Sequence, residues 1–341
     1  MKKTVLVSGG MGFIGSHTAV ELINKGYQTI IADDLSNSQE SVLDGIEKIT
    51  GVRPAFERTD LKDKTAVREI FDKYEIDAVI HFAASKAVGE SVHKPLLYYR
   101  NNLVSLLNIL DCLTESSRGG NLVFSSSCTV YGQPDRLPVT EDSPIKPAES
   151  PYGNTKQISE EIIRDAVNAH ELLKAVSLRY FNPIGAHPSA EIGELPRGVP
   201  QNLIPYITQT AMGIRESLSV FGDDYDTPDG TCIRDYIHVV DLAKAHIKAI
   251  ERMLCGKSAG RYEVFNIGTG TGYSVLDIIK SFERVSGVRL NYRITPRRAG
   301  DIEKIWADPS KANEALGWTA EENLDSMMSS AWAWQKKLSG K

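Results

Sequence analysis

Apolar positions in the first 180 residues alternate between short continuous runs and longer stretches in which they recur every three or four residues. The runs Thr4–Ser8, Thr29–Ala32, Ala78–Ala83, Leu122–Phe124 and Ala175–Leu178 are apolar at successive positions. This predicts strands covered on both faces. Between them, Gly12–Lys25, Thr65–Tyr74, Leu96–Leu113 and Tyr152–His170 carry helical spacing. In the first of these Ala19, Leu22 and Ile23 share a face, and Gly26 supplies a stop. Strands alternating with helices predict a parallel sheet, and right-handed crossovers make it a doubly wound α/β fold.

After about residue 180 the rhythm changes. Asn182–Gln201 holds Pro183, Gly185, Pro188, Gly193, Pro196, Gly198 and Pro200, which predicts one long loop of functional weight. Helical patterns return at Leu203–Met212, Val239–Leu254 and Val275–Val285. A chain of 341 residues exceeds what one core usually serves. We therefore expect residues 1–180 to form the larger domain, with part of 235–265 returning to it, and residues 181–341 to form a smaller α/β lobe. The tail around Trp332–Lys341 ends in small and basic residues and is expected to fray.

Composition removes several classes. A hydrophobic share of 41% with 24% charged residues is an ordinary globular balance, which excludes disordered, collagen-like and coiled-coil chains. A net charge of −5 offers no general attraction to nucleic acid or anionic lipid, and no apolar run approaches a membrane span. Neither partner is expected. The opening MKKTVLVSGG runs straight into glycines and reads as a first strand, not a signal peptide. Cys112, Cys128, Cys232 and Cys255 form no CxxC pair, consistent with reduced thiols and a cytoplasmic setting. The histidines show no metal-ligand spacing, so no metal site is expected.

Candidate chemistry begins where the first strand ends. Gly9, Gly12 and Gly15 lie between that strand and the first helix. They allow a tight turn, close approach of backbone to a phosphate and close helix packing, while the helix start offers free N–H groups to a diphosphate. The second strand ends at Asp33-Asp34, eighteen residues after Gly15. A carboxylate there can accept from ribose hydroxyls and repel a 2′-phosphate, which favours NAD over NADP in a Rossmann-type site. Tyr152 and Lys156, at i and i+4, share one helix face. A free tyrosine is a poor base at neutral pH, but a nearby ammonium stabilises its phenolate. The pair follows the serine run Ser125-Ser126-Ser127 by about one strand–helix unit.

GGMGFIG (Gly9–Gly15), Asp33, the serine run before TVYG and YGNTK together resemble the extended short-chain dehydrogenase/reductases. KAVGES (Lys86–Ser91), SPYGNTK (Ser150–Lys156), RYFNPIGAHPS (Arg179–Ser189), RDYIHVVDLA (Arg234–Ala243) and PRRAGD (Pro296–Asp301) are similar to the UDP-hexose 4-epimerases within that family. These segments extend the likeness to about residue 330.

The resemblance implies roles. Tyr152 would be the acid/base, Lys156 the cation that tunes it, and Ser127 the hydroxyl that bonds the sugar O4. Tyr180 and Phe181 would line NAD together with Phe13, Ile14, Asp34, Leu35, Ser36, Asn37, Ser38, Asp60, Leu61, Phe82, Ala83, Ala84, Ser85, Lys86 and Asn101. Asn182, Asn202, Leu203, Ser219, Val220, Phe221, Arg234, Tyr236, Arg298, Asp301 and Ile305 would hold the UDP-hexose. Two arginines suit a diphosphate in any case, since each offers forked donors. The implied activity inverts C4 through a 4-keto sugar, in galactose or nucleotide-sugar metabolism. Members of this family carry a bulky aromatic or a small residue just before Trp306-Ala307-Asp308; Ile305 stands here. Either it leaves room for an N-acetyl group at C2, or it simply fills the wall. A dehydratase of the same family needs an Asp-Glu pair where Cys128-Thr129 stands. A simple dehydrogenase and a non-catalytic NAD-bound sensor are the other readings. Broad apolar faces on Leu96–Leu113 and Tyr152–His170 leave two readings, burial within the domain or pairing into a homodimer.

Overall fold

Period-two alternation inside the apolar runs sends neighbouring side chains to opposite faces of one sheet. The computed structural model describes residues 2–298 and 301–340, so Ala299 and Gly300 of the PRRAGD segment lie outside the described residues. In chain order the strands are β1 (Thr4–Ser8), β2 (Gln28–Asp33), β3 (Ala55–Arg58), β4 (Ala78–His81), β5 (Gly120–Ser127), β6 (Leu173–Tyr180), β7 (Asn182–Ile184), β8 (Leu218–Phe221), β9 (Ile233–His238), β10 (Tyr262–Ile267), β11 (Gly272–Ser274), β12 (Tyr292–Thr295) and β13 (Lys304–Ile305). The helices are α1 (Phe13–Asn24), α2 (Ser41–Thr50), α3 (Lys64–Lys73), α4 (Val88–His93), α5 (Pro95–Glu115), α6 (Pro151–Ala169), α7 (Leu203–Ala211), α8 (Val239–Leu254), α9 (Val275–Ser286), α10 (Ser310–Leu316) and α11 (Leu324–Leu338).

Among the described residues, seven strands form a parallel sheet in the order β3-β2-β1-β4-β5-β6-β10. Val5, Val7, Ala78, Ile80 and Val123 point to the face covered by α1, α8 and α10, through Leu22, Leu242, Ile250 and Leu316. The intervening Leu6, Val79, Leu122 and Phe124 point to the other face, against Val67 and Ile70 of α3, Leu106 and Ile109 of α5 and Ile163 of α6. Full burial of each such side chain contributes about 1.5–3 kcal/mol. The strand order reverses between β1 and β4, and ligands of doubly wound sheets bind outside the strand C-termini at that point.

The smaller lobe gathers β7, β11 and β13 around β9, with β8 paired to β12. Its core joins Ile204 and Ile207 of α7, Leu218 and Val220 of β8, Ile278 and Phe282 of α9 and Met327 and Met328 of α11. The chain crosses back to the large sheet at α8, which packs on α1, and at β10, which pairs with β6.

Two expectations need correction. The stretch Asn182–Gln201 is not all loop, because Asn182–Ile184 forms β7 beside Tyr236–His238. Pro183 is tolerated there because β7 has β9 as its neighbour on one side only, so a missing N–H breaks no ladder. The tail does not fray from Trp332. Trp332 meets Phe282 edge-on at 5.5 Å, and Thr208 Oγ1 donates to Gln335 Oε1 (3.1 Å). Leu324, Met327, Met328 and Ala331 keep helical spacing through a run whose small residues disguise it. Among the described residues no helix is long and apolar enough to cross a membrane, and no group of three or more His, Cys, Asp or Glu is placed to hold a metal.

Candidate active site

The site is built at the C-terminal ends of β1, β2, β4, β5 and β6. Gly9 follows β1 with φ +73°, and a Cβ there would stand 2.7 Å from the Ala83 amide nitrogen. Gly12 is the N-cap of α1, with no side-chain cap and no acid in the first turn. The first-turn amides at Phe13, Ile14 and Gly15 therefore have no intrahelical acceptor. Asp33 ends β2 and accepts from Met11 N (3.1 Å), Leu35 N (2.9 Å) and Ser38 Oγ (2.7 Å). Burial pushes its carboxyl pKa up, and these bonds oppose the shift. Asp34 accepts from Ser36 N (2.8 Å), while Ser36 and Asn37 are exposed. A Cβ-free cradle, an uncapped helix start and a buried strand-end acid fit a dinucleotide's diphosphate and ribose diol.

Most of the other residues expected on the cofactor side follow β3 and β4. Asp60 pairs with Lys62 Nζ (2.8 Å), which also donates to Asn101 Oδ1 (3.1 Å). Leu61 is buried, and its carbonyl accepts from Asn108 Nδ2 (2.9 Å). Phe82 N donates to Ser8 O (2.9 Å), and the Phe82 ring lies 4.7 Å from that of His246. Ala83 and Ala84 continue to Ser85, whose hydroxyl accepts from Asn101 Nδ2 (3.1 Å).

A second group of side chains depends on α6. Ser150 caps it, accepting from Gly153 N (3.2 Å), and Pro151 begins it. Lys156 is 4% exposed, and its Nζ donates to Ser125 O (2.6 Å). Nζ also lies 4.8 Å from the Phe124 ring centroid and 5.9 Å from that of Tyr152. Burial pulls the Lys156 pKa down to about 7, and the Glu160 charge opposes it. Ser127 ends β5 opposite Tyr180 of β6, and Ser127 Oγ accepts from Thr129 N (3.3 Å). The Tyr180 and Ser125 hydroxyls are bonded to each other. Burial pushes the Tyr152 phenol above the usual tyrosine range, and a bond with Ser127 pulls it back. Burial also pushes the Cys128 thiol up to about 12.

On the facing lobe Arg298 donates twice to Asp301 (2.6 and 3.2 Å) and lies over the Phe221 ring at 5.7 Å. Arg234 of β9 comes within 4.0 Å of the same carboxylate. Those four residues are thus brought together. Asn182 of β7 faces Tyr236 across the register. Val220 and Tyr236 are buried in the lobe's core with Leu203 packed against them, and Ser219 is half-buried between. Ile305 is 1% exposed, clustered with Val130, Tyr131 and Phe181.

Several residues with evident roles escape a reading of local patterns. Asn102 accepts from Ser85 N (2.7 Å) and donates to Ser85 O and Thr155 Oγ1 (both 3.0 Å), tying the loop after β4 to α6. Its signal was a polar residue on the inward face of α5, a face that Ser105 and Asn108 share. Glu194 bridges Lys86 (3.2 Å) and Asn202 (2.5 Å), linking the segment after β4 to the start of α7. Arg197 of the same segment donates to Ser36 O (3.0 Å) and Ser38 O (2.5 Å). Asp235 accepts from Thr269 N (2.9 Å), Gly270 N (3.1 Å) and Ala307 N (3.2 Å), bracing the strand that carries Arg234.

A family model described as GDP-mannose 4,6 dehydratase matches residues 6–331. The UDP-glucose 4-epimerase of Bacillus subtilis is 52% identical over 97% of this chain and 96% of its own length. A crystal structure of the Bifidobacterium longum UDP-glucose 4-epimerase with NAD+ and UDP superposes with a TM-score of 0.93 at 47% identity, over 98% of both chains. That of the Stenotrophomonas maltophila enzyme, with NAD and formylated UDP-arabinopyranose, gives 0.95 at 45% identity over 99% of both.

A methyl at position 9 would meet backbone, not a movable side chain. Gly9→Ala is expected to weaken dinucleotide binding at least ~10-fold, measured by cofactor retained on purification and by titration.

Proposed function

The chain belongs to the UDP-glucose 4-epimerase family, and on that premise we propose that Tyr152, Lys156 and Ser127 move the O4 proton while C4 of a UDP-hexose is inverted. The reaction is NAD-dependent and passes through a 4-keto sugar. The observation that carries the assignment is the placement of buried Lys156 one helical turn from half-buried Tyr152, with Nζ 5.9 Å from its ring, beside the strand end that carries Ser127.

Bound NAD supplies the acceptance of hydride from C4 and its return. The Gly9–Gly15 turn and the α1 amides would hold its diphosphate, and Asp33 would accept from its ribose. Tyr152 takes the O4 proton directly or through Ser127 and later gives it back. Its phenol is raised by burial, so it needs a cation close by, and Lys156 provides one. Arg234 and Arg298 grip the substrate diphosphate, and Asp301 turns to the uridine ribose. Phe221, 42% exposed, offers a flat apolar face for the base. Strong binding at the nucleotide end leaves the hexose free to turn its other face to the cofactor. Water elimination of the dehydratase type is disfavoured, because Cys128-Thr129 supplies no acid/base pair and the Cys128 thiol stays protonated.

Tyr152→Phe is expected to lower turnover of UDP-galactose by about two to four powers of ten while NAD stays bound. Near-normal rates in that variant would remove Tyr152 from its role.

Ile305 packs with Phe181 in the wall beside Cys128. It is smaller than an aromatic residue, which supports room for a C2 N-acetyl group. UDP-N-acetylgalactosamine is expected to be turned over as well, and Ile305→Tyr to suppress that activity selectively. Absence of N-acetyl turnover in the native enzyme would sink this reading.

The protein further assembles as a homodimer through α5 and α6. Leu96 (75% exposed), Leu97 (49%) and Leu107 (43%) project from α5, an apolar surface that a second copy would cover. Light scattering at micromolar concentration should report twice the chain mass, and Leu96→Glu with Leu107→Glu should halve it.

A further inference from the structure

Lys156 makes one hydrogen bond, to the carbonyl of Ser125 (2.6 Å). One helical turn further on, Glu160 is 3% exposed, and its Oε1 accepts from the hydroxyl of the next residue of the strand, Ser126 (2.5 Å). Two consecutive residues of β5 thus grip the same face of α6. Glu160 also accepts two bonds from Arg179, from Nε (2.9 Å) and from the second guanidinium nitrogen (2.6 Å). Arg179 stands opposite Ser126 in the β5–β6 register, and its remaining nitrogen reaches the Tyr131 hydroxyl (3.0 Å). Tyr131 donates to Asn266 (2.6 Å), which donates to Val139 O (2.9 Å) and to Glu141 (2.6 Å).

A pair buried this deeply gains little stability from its charges. Desolvation offsets their attraction, and an apolar pair of similar volume is often as stable. Another demand must keep an anion at this place, and Lys156 presents one. Tyr152 and Glu160 face it from α6. From β4 comes His81, which burial holds near about 3 and so neutral at physiological pH. From β5 come the Phe124 ring and the Ser125 carbonyl. From β6 come the Tyr180 hydroxyl and, behind Glu160, the Arg179 guanidinium. Among the described residues, Glu160 is the anion whose field reaches Lys156.

We propose that Glu160 is a positioning residue for proton transfer: its carboxylate keeps Lys156 an ammonium and seats α6 on β5, while Arg179 holds that carboxylate aimed. This rests on the assignment of Tyr152 and Lys156 given above. Without the negative charge, the buried amine loses its proton at lower pH. The phenolate then loses its cation, so the alkaline limb of turnover moves down the pH scale.

The test is the pH profile of kcat at saturating UDP-galactose for the native enzyme, for Glu160→Gln and for Glu160→Leu combined with Arg179→Met, each with its melting curve. Glu160→Gln keeps the size and an acceptor for Ser126. Its alkaline limb is expected to fall by about one pH unit, so that its deficit grows roughly tenfold from the acidic to the alkaline side. The double variant replaces the ion pair by apolar groups and should recover native melting while keeping the shifted limb. If Glu160→Gln is too unstable to assay, the double variant decides alone. A deficit equal at every pH in Glu160→Gln, or a native limb in the double variant, overturns the proposal. Tyr152→Phe separates the two levels: activity in that variant ends the proton-transfer assignment, whereas its inactivity beside a uniformly scaled Glu160→Gln profile ends this inference alone.

Discussion

The contact on which the site depends is the seating of α6 against the end of β5. Ser125 offers a carbonyl to Lys156, Ser126 a hydroxyl to Glu160, and Ser127 Oγ accepts from Thr129 N at the strand end. The register with β6 sets Arg179 beside Ser126 and Tyr180 beside Ser127, so the spacing of the serines is matched rung by rung to their partners. A slip of one residue would send every one of these side chains to the opposite face of the sheet. The local geometry proposed for proton transfer is therefore inherited from strand pairing, which the apolar cores on both faces enforce.

Burial then gives this geometry its chemical character. The same apolar surroundings push the Tyr152 phenol up and the Lys156 amine down, toward two neutral groups. Neutrality would leave no base. Polar connections from neighbouring strands counter that tendency, and they are costly enough that each must be satisfied. The epimerase family's reaction returns both hydride and proton to the sugar, so such a site has no need of an exit path for either.

Much of this arrangement was legible along the chain because its signals are local. Continuous apolar runs marked β1, β4 and β5, the glycines at 9, 12 and 15 marked the cradle, and Tyr152 with Lys156 marked a helix face. Glu160 stands one turn beyond Lys156, yet its meaning depends on Arg179 in a different strand. Asn102 is tied to Thr155, and Glu194 to Lys86, across long stretches of chain. No periodicity encodes such pairs. Arg234, Arg298 and Asp301 would pass for surface ion pairs by composition alone, and only likeness to a family singled them out. β7 was hidden by Pro183, and α11 by its small residues.

The segment between β7 and α7 behaves as a strap buckled at both ends. Ile192 is pressed into the pocket between α1 and α2, Arg197 holds the loop after β2, and Trp334 of α11 donates to the Glu194 carbonyl (2.9 Å). The closing helix is therefore joined mechanically to the loop after β2 through one stretch of backbone. Trimming that helix for crystallisation, or fusing a bulky partner against it, would disturb dinucleotide retention even though no residue of the helix carries a recognisable motif.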